Sequence, residues 1–160
     1  MPNVIINTSP MQYLYQVNLL SLLPKLYGEI IVPQSVVDEL EVGRSLGVAL
    51  PNINSLNWVS IQQARSQQIL PLVTELGAGE REVLALGVET TDSLLILDDA
   101  LGRSYANLLG LQLTGTLGII LKGKQQGYLS EVALILEKLN ALQFRLSSLT
   151  RDVVLKLAGE

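Results

Sequence analysis

The sequence predicts an α/β domain with a central, mainly parallel sheet covered by helices on both faces. Three observations point there. Short β-rich runs such as Val4-Ile5-Ile6 and Leu94-Leu95-Ile96-Leu97 are solidly apolar, as strands buried on both faces must be. Segments with helical periodicity stand between those runs, the rhythm of a parallel sheet with crossover helices. Apolar residues make up 48% of the 160 and charged residues 16%, which allows a sizeable core and is the wrong balance for disorder. The length suits one domain spanning 1–160, and no internal repeat or interdomain linker interrupts it.

The elements follow in order. Val4–Ile6 is the first strand and stops at Asn7-Thr8-Ser9-Pro10. Met11 to Leu23 has apolar residues at helical spacing, with Thr8 or Ser9 as cap and Pro10 in the first turn. Gly28 closes a second short helix, and 29–32 is a brief strand. Pro33 and Ser35 open a helix through Glu41, with Ser35 as its cap. Residues 43–57 read as a loop, and Trp58-Val59-Ser60-Ile61 as an edge strand. Gln62 to Leu76 reads as helical, interrupted by Pro71. A helix starts at Gly77-Ala78-Gly79-Glu80 and runs to about Glu89. Strand 94–97 ends in Asp98-Asp99. A helix from Ala100 to Leu109 follows, then a strand over 111–113, helices over 116–124 and 130–141, and a last helix to Leu157 capped by Ser147 or Ser148.

Composition excludes whole classes of chemistry. With no cysteine and no histidine there is no disulfide, thiol nucleophile, Cys/His zinc site or histidine-dependent triad. Any metal must be held by oxygen, which favours Mg²⁺ or Mn²⁺ over zinc. No GxGxxG or GxxxxGK[ST] loop is present, which disfavours a nucleotide-binding domain. The net charge of −4 counts against a large phosphate-contacting surface. No apolar run approaches the roughly 18–20 residues that span a bilayer. The start reads as a strand entering a fold and not as a signal peptide, so the expectation is a soluble, cytoplasmic protein without membrane contact.

In open α/β sheets, sites form beyond the carboxyl ends of strands. Asn7 follows the first strand, and Asp98-Asp99 follow the strand at 94–97. Helices add Glu39 and Glu80, the latter in a first turn whose dipole favours a carboxylate. Each has a plain reading: Glu80 as a helix-start residue, Glu39 as a solvated helix residue, Asp98 and Asp99 as turn or cap residues. Taken together, carboxylates gathered at strand ends repel one another and call for a cation. Metal-assisted phosphodiester hydrolysis uses such an arrangement.

Five stretches carry a resemblance. They are Ile5-Ile6-Asn7-Thr8-Ser9-Pro10, then 31–40 (Ile-Val-Pro-Gln-Ser-Val-Val-Asp-Glu-Leu), 77–86 (Gly-Ala-Gly-Glu-Arg-Glu-Val-Leu-Ala-Leu), 97–103 (Leu-Asp-Asp-Ala-Leu-Gly-Arg) and 113–118 (Leu-Thr-Gly-Thr-Leu-Gly). In order and spacing the sequence resembles a PIN domain of the short prokaryotic subgroup, over nearly the whole chain. The resemblance implies a three-layer, Rossmann-like fold, an acidic cluster binding Mg²⁺ or Mn²⁺, and endoribonuclease activity on single-stranded RNA. Many members of the family are toxins of toxin–antitoxin pairs, held inactive by a small antitoxin protein, and form homodimers. Carried over by position, the acidic set falls on Asn7, Glu39, Glu80 and Asp99, with Asp98 beside it. Thr8 and Ser9 match the hydroxyl positions next to the first acid.

Asn7 departs from the usual Asp. An amide oxygen can ligate Mg²⁺ but brings no charge, so the alternative is a catalytically weak or inactive binding or scaffold protein. Arg81 follows Glu80, and Arg103, four residues after Asp99, either pairs with a carboxylate or holds a phosphate; Arg44, in the loop after Glu39, is a weaker candidate for RNA contact. The five tyrosines, Trp58 and Phe144 are scattered without a stacking-platform pattern and read as packing residues. Leu14, Leu19, Leu22 and Leu23 read as core, with a dimer or antitoxin surface as the alternative.

Overall fold

The computed structural model describes residues 1–65 and 75–160. Five strands form one sheet in the order β3-β2-β1-β4-β5, and every pairing is parallel. The strands are β1 (Asn3–Ile6), β2 (Ile30–Pro33), β3 (Val59–Gln62), β4 (Ser93–Ile96) and β5 (Gln112–Thr114). The helices are α1 (Thr8–Gln16), α2 (Leu22–Tyr27), α3 (Gln34–Ser45), α4 (Ala78–Glu89), α5 (Ala100–Leu108), α6 (Thr116–Gln125), α7 (Val132–Ala141) and α8 (Ser148–Leu157). The predicted α/β architecture, a parallel sheet flanked by helices, is the architecture found.

The solid apolar runs occupy the middle of the sheet. Val4, Ile5 and Ile6 of β1 are fully buried, as are Leu95, Ile96 and the following Leu97. Each such side chain contributes about 1.5–3 kcal/mol of burial. β3 alternates only weakly between half-buried and exposed positions, which fits its place at the sheet edge.

The helix predicted from Met11 through Leu23 is two helices. α1 ends at Gln16, and Asn18 adopts φ +61°, a left-handed conformation that Asn tolerates better than most residues. The amide of Leu19 bonds the carbonyl of Leu14 and that of Asn18 the carbonyl of Tyr15, the two bonds of a Schellman stop. Apolar periodicity runs straight through this turn, so it hid the break. Leu14, Leu22 and Leu23 are buried and Leu19 packs against them, so these residues are core. Two caps also differ from expectation. Thr8 lies inside α1, which starts from Asn7, and α3 starts from Pro33 rather than from Ser35 and continues to Ser45, which places Arg44 in its last turn. Ser147 does cap α8, its hydroxyl accepting from the Thr150 amide. The helix expected around Pro71 falls largely on residues 66–74, outside the described residues; 62–65 and 75–77 are not helical.

The aromatic residues are dispersed. Tyr13 packs edge-on against Phe144 with ring centres 4.9 Å apart, Tyr27 is buried, and Trp58 and Tyr105 lean on the core. No helix among the described residues is long and apolar enough to cross a membrane.

Candidate active site

β1 is the central strand, and the chain leaves it toward β2 on one side while β4 pairs on the other. That divergence makes the carboxyl ends of β1 and β4 the natural crevice of the sheet. Ile6 is in register with Ile96, and the Asn7 amide extends the ladder by bonding the Ile96 carbonyl at 3.0 Å. Asn7 and the Leu97-Asp98-Asp99 segment therefore emerge side by side.

Asn7 is 3% exposed, and its Oδ1 is a buried oxygen without a hydrogen-bond partner, the only such side-chain atom among the described residues. An orphaned buried acceptor costs roughly 1–3 kcal/mol, a cost that an ordered water or an oxygen-seeking cation would remove.

Glu39 comes from α3 and is gripped by two other helices. Thr8 Oγ1 in the first turn of α1 donates to Glu39 Oε1 at 2.5 Å, and the Gly79 amide in the first turn of α4 donates to Oε2 at 3.2 Å. A Cβ at position 79 would displace the Glu39 carboxylate from this contact and reach 3.2 Å from Cγ2 of Val36. Ser9, half-buried, lies one residue further along the same turn of α1.

Glu80 follows Gly79. Burial raises its pKa above the usual carboxylate value, and the charges of Asp99 and then Glu39 push the same way; a hydrogen bond from the Gly77 backbone opposes them. Those couplings place Glu39, Glu80 and Asp99 in one electrostatic neighbourhood. Asp99 is also the cap of α5, accepting from the Gly102 amide at 2.8 Å, and is otherwise exposed.

Asp98 is held elsewhere. Its Oδ1 accepts from the Thr116 amide at 2.8 Å and its Oδ2 from the Thr116 hydroxyl at 2.5 Å, so it binds the first residue of α6. Burial raises its pKa, against the two Thr116 hydrogen bonds and the charge of Arg103, which lower it. A Cβ on Gly115 would come 2.6 Å from Asp98 Oδ1, which explains glycine before Thr116. Arg103 Nη1 donates to the Leu97 carbonyl at 2.8 Å, a structural contact that steadies the same strand end.

Glu82, which sequence reasoning passed over, links three segments. Its two oxygens accept from the amides of Ser35 at 2.7 Å and Ala64 at 3.1 Å. The only available signal was its spacing, two residues beyond Glu80 in the same short stretch.

Among the described residues, no three acidic side chains as positioned form a group that could hold one metal ion. The donor set nevertheless fits a hard cation. It is all oxygen, it combines three carboxylates with a buried amide oxygen lacking a partner, and it crowds like charge around Glu80.

An all-parallel sheet flanked by helices defines a Rossmann-like α/β fold. A family profile described as a PIN domain matches residues 3–160, and the chain belongs to the PIN-domain family. Comparison with curated proteins finds no match. PIN domains generally use divalent metals.

Proposed function

We propose that the protein is a metal-dependent endoribonuclease that hydrolyses phosphodiester bonds in single-stranded RNA. The observation that carries this reading is the buried, unpartnered Oδ1 of Asn7 at the end of β1, one residue before the Thr8 that holds Glu39, together with the mutual coupling of Glu39, Glu80 and Asp99. Glu39, Glu80 and Asp99 are the catalytic carboxylates, and with Asn7 they would hold Mg²⁺ or Mn²⁺. When bound, such an ion supplies Lewis acidity, an activated water and charge neutralisation on the leaving oxygen. The chain's own contribution is orientation. Thr8 and the Gly79 amide fix Glu39, Gly102 fixes Asp99, and the first turn of α4 presents Glu80. Asp98 and Arg103 act as positioning residues, joining the end of β4 to the start of α6 and keeping Asp99 in place. As positioned the three carboxylates do not form one ligand group, so holding the ion would require at least one of them to move.

The partners this reading proposes are single-stranded RNA and, in a cytoplasmic toxin–antitoxin setting, a small antitoxin protein and a second copy of the chain. Leu149, Val153 and Leu157 recur every four residues on α8 and are all exposed, Leu149 to 76%, which gives such a protein partner an apolar face. A small protein encoded immediately beside this one is the simplest sign of an antitoxin.

One observation favours a second reading. Asn7 removes a charge from the set, which fits a weakly active or inactive binding protein. A cleavage assay separates the two. Wild type is expected to cut single-stranded RNA with Mn²⁺ and to stop with a chelator, with Asn7→Asp changing the metal concentration required. If only Asn7→Asp cuts, the natural protein is the binding form.

A further inference from the structure

We infer that a groove between α3 and α4, opening beside Glu39, receives the nucleobase next to the scissile phosphate and prefers guanine. The inference rests on the ribonuclease reading and deepens it. The groove has a volume of about 330 Å³ and is lined by Ser35, Asp38, Glu39 and Val42 of α3 and by Ala78 of α4. That is at the low end of small-ligand pockets, which run from about 300 to 1,000 Å³. Glu39 belongs both to this groove and to the proposed catalytic set, so an RNA strand lying across the carboxylates has the groove within a nucleotide of its cut.

The walls decide what enters. Val42 is 59% exposed although it is a valine, and with Ala78 it offers an apolar surface against which the face of a flat ring can lie. Asp38 and Glu39 are both acidic, so a phosphate is repelled and a neutral base is not. Single-stranded RNA is read by such means, with a base splayed out, stacked and bonded along its edge. Both oxygens of Glu39 are already engaged by Thr8 and Gly79, so the lining carboxylate left to read that edge is Asp38. It is exposed, and Gln34 Nε2 donates to its Oδ1 at 2.9 Å, which steadies the carboxylate and leaves Oδ2 and a second lone pair of Oδ1. A carboxylate only accepts. Among the four bases, guanine alone presents two adjacent donors, N1–H and N2–H, on its Watson–Crick edge. Adenine and cytosine set an amino group beside an acceptor, and uracil flanks its N3–H with two carbonyls that a carboxylate repels. The Ser35 amide is taken by Glu82, so the serine contributes only its hydroxyl to the lining.

Two measurements test this. In the first, a random-sequence single-stranded RNA pool is digested with Mn²⁺ and the cut ends are sequenced. Guanine is expected to be enriched at one position flanking the cut, by about tenfold, the scale of one good bidentate contact. Asp38→Asn should abolish that enrichment, read as the ratio among the cut sites of one digest, and Val42→Lys should reduce it by blocking the groove. Cutting without such enrichment, or enrichment that survives Asp38→Asn, overturns the inference. In the second, guanosine, adenosine, cytidine and uridine monophosphates are titrated into the ¹⁵N-labelled protein without metal, so the outcome does not depend on cleavage. Selective shifts of the Val42 and Ala78 amides with the guanine nucleotide, lost in Asp38→Asn, support the groove even if the pool is left uncut, in which case only the nuclease reading fails. Equal or absent responses overturn it. So does a selective response to Nα-acetyl-arginine amide without one to the guanine nucleotide, which would assign the groove to a basic peptide.

Discussion

Glu80 and Glu160 both sit against a helix N-terminus, yet their carboxyl groups shift in opposite directions. Glu160 accepts from the first two amides of α7, Val132 at 2.7 Å and Ala133 at 3.1 Å, and pairs with Lys124 at 3.3 Å. Those backbone bonds, outweighing desolvation and helped by the lysine, lower its pKa. Glu80 lies in the first turn of α4, and burial together with Asp99 and Glu39 raises its pKa despite the Gly77 backbone bond. A helix N-terminus is worth only about 0.3–1 kcal/mol to an exposed anion. Direct amide hydrogen bonds decide the outcome at Glu160, whereas burial and then the neighbouring charges decide it at Glu80. The C-terminal corner is an arrangement that satisfies its carboxylate within the protein. The crevice at the ends of β1 and β4 is one that leaves its carboxylates opposed to each other and an amide oxygen without a partner.

The sharpest way to break this comparison is Glu80→Gln. If the crevice carboxylates exist for an ion and for cleavage, this change should lower the rate of RNA cutting by about 100-fold or more, the scale of losing one electrostatic stabiliser of a transition state. It should also leave metal-free stability at pH 7 unchanged or higher, because it removes a charge that the fold disfavours. Cleavage rate and Tm, measured on the same preparation, check both halves. A variant that cuts normally, or that loses activity only because it unfolds, would make Glu80 as structural as Glu160.

The two regions also differ in how far the sequence disclosed them. The strand ends were legible because solid apolar runs stop abruptly at Asn7 and at Asp98, and alternating strands and helices fixed a parallel sheet. Glu39 and Glu80 could be named from the stretches that carry them. The division of labour between Asp98 and Asp99 could not. Both are acidic and adjacent, and only the arrival of Thr116 from β5, 18 residues on, shows that Asp98 faces α6 while Asp99 caps α5. The Glu160 contact was hidden for the same reason, since it joins residues 28 apart. Long-range hydrogen bonds leave no local periodicity, whereas burial does. The break at Asn18 shows the converse failure, where local periodicity persisted through a turn that a left-handed residue makes possible.

Asp98 offers a middle case, a carboxylate at the crevice that is satisfied within the protein. Asp98→Ala should leave the Thr116 amide and hydroxyl without their acceptor and cost about 1.5–3 kcal/mol, the value of hydrogen bonds to a charged group. Denaturant titration reads that loss. Because α6 and Asp99 lose a shared anchor, activity should fall as well, but added metal should not restore the stability. Full rescue by metal would mean that Asp98 works as a ligand first and as a tether second.

The smallest effect expected is the one at Glu160, and its sign is the most direct test of the comparison. A carboxyl whose folded pKa is lowered binds its proton less readily in the folded state, so it contributes stability above the unfolded value of about 4.3 that is lost as pH falls through the folded pKa. A carboxyl whose folded pKa is raised, as for Glu80 and Asp98, holds its proton longer in the folded state. Stability then declines as pH rises from the unfolded pKa to the raised folded one, and stays at the lower level above it. In metal-free buffer, Glu160→Gln should lower Tm at pH 7 by a margin smaller than that of Asp98→Ala. The difference from wild type should shrink as pH drops below the ordinary carboxylate range. Glu80→Gln should show the mirror image, matching wild type in acid and equalling or exceeding it at neutral pH. A divalent ion should narrow the Glu80→Gln gap by stabilising wild type, and should leave the Glu160→Gln gap untouched, since nothing at that corner calls for a cation beyond Lys124. Parallel pH profiles for the two variants would erase the distinction between the corner and the crevice.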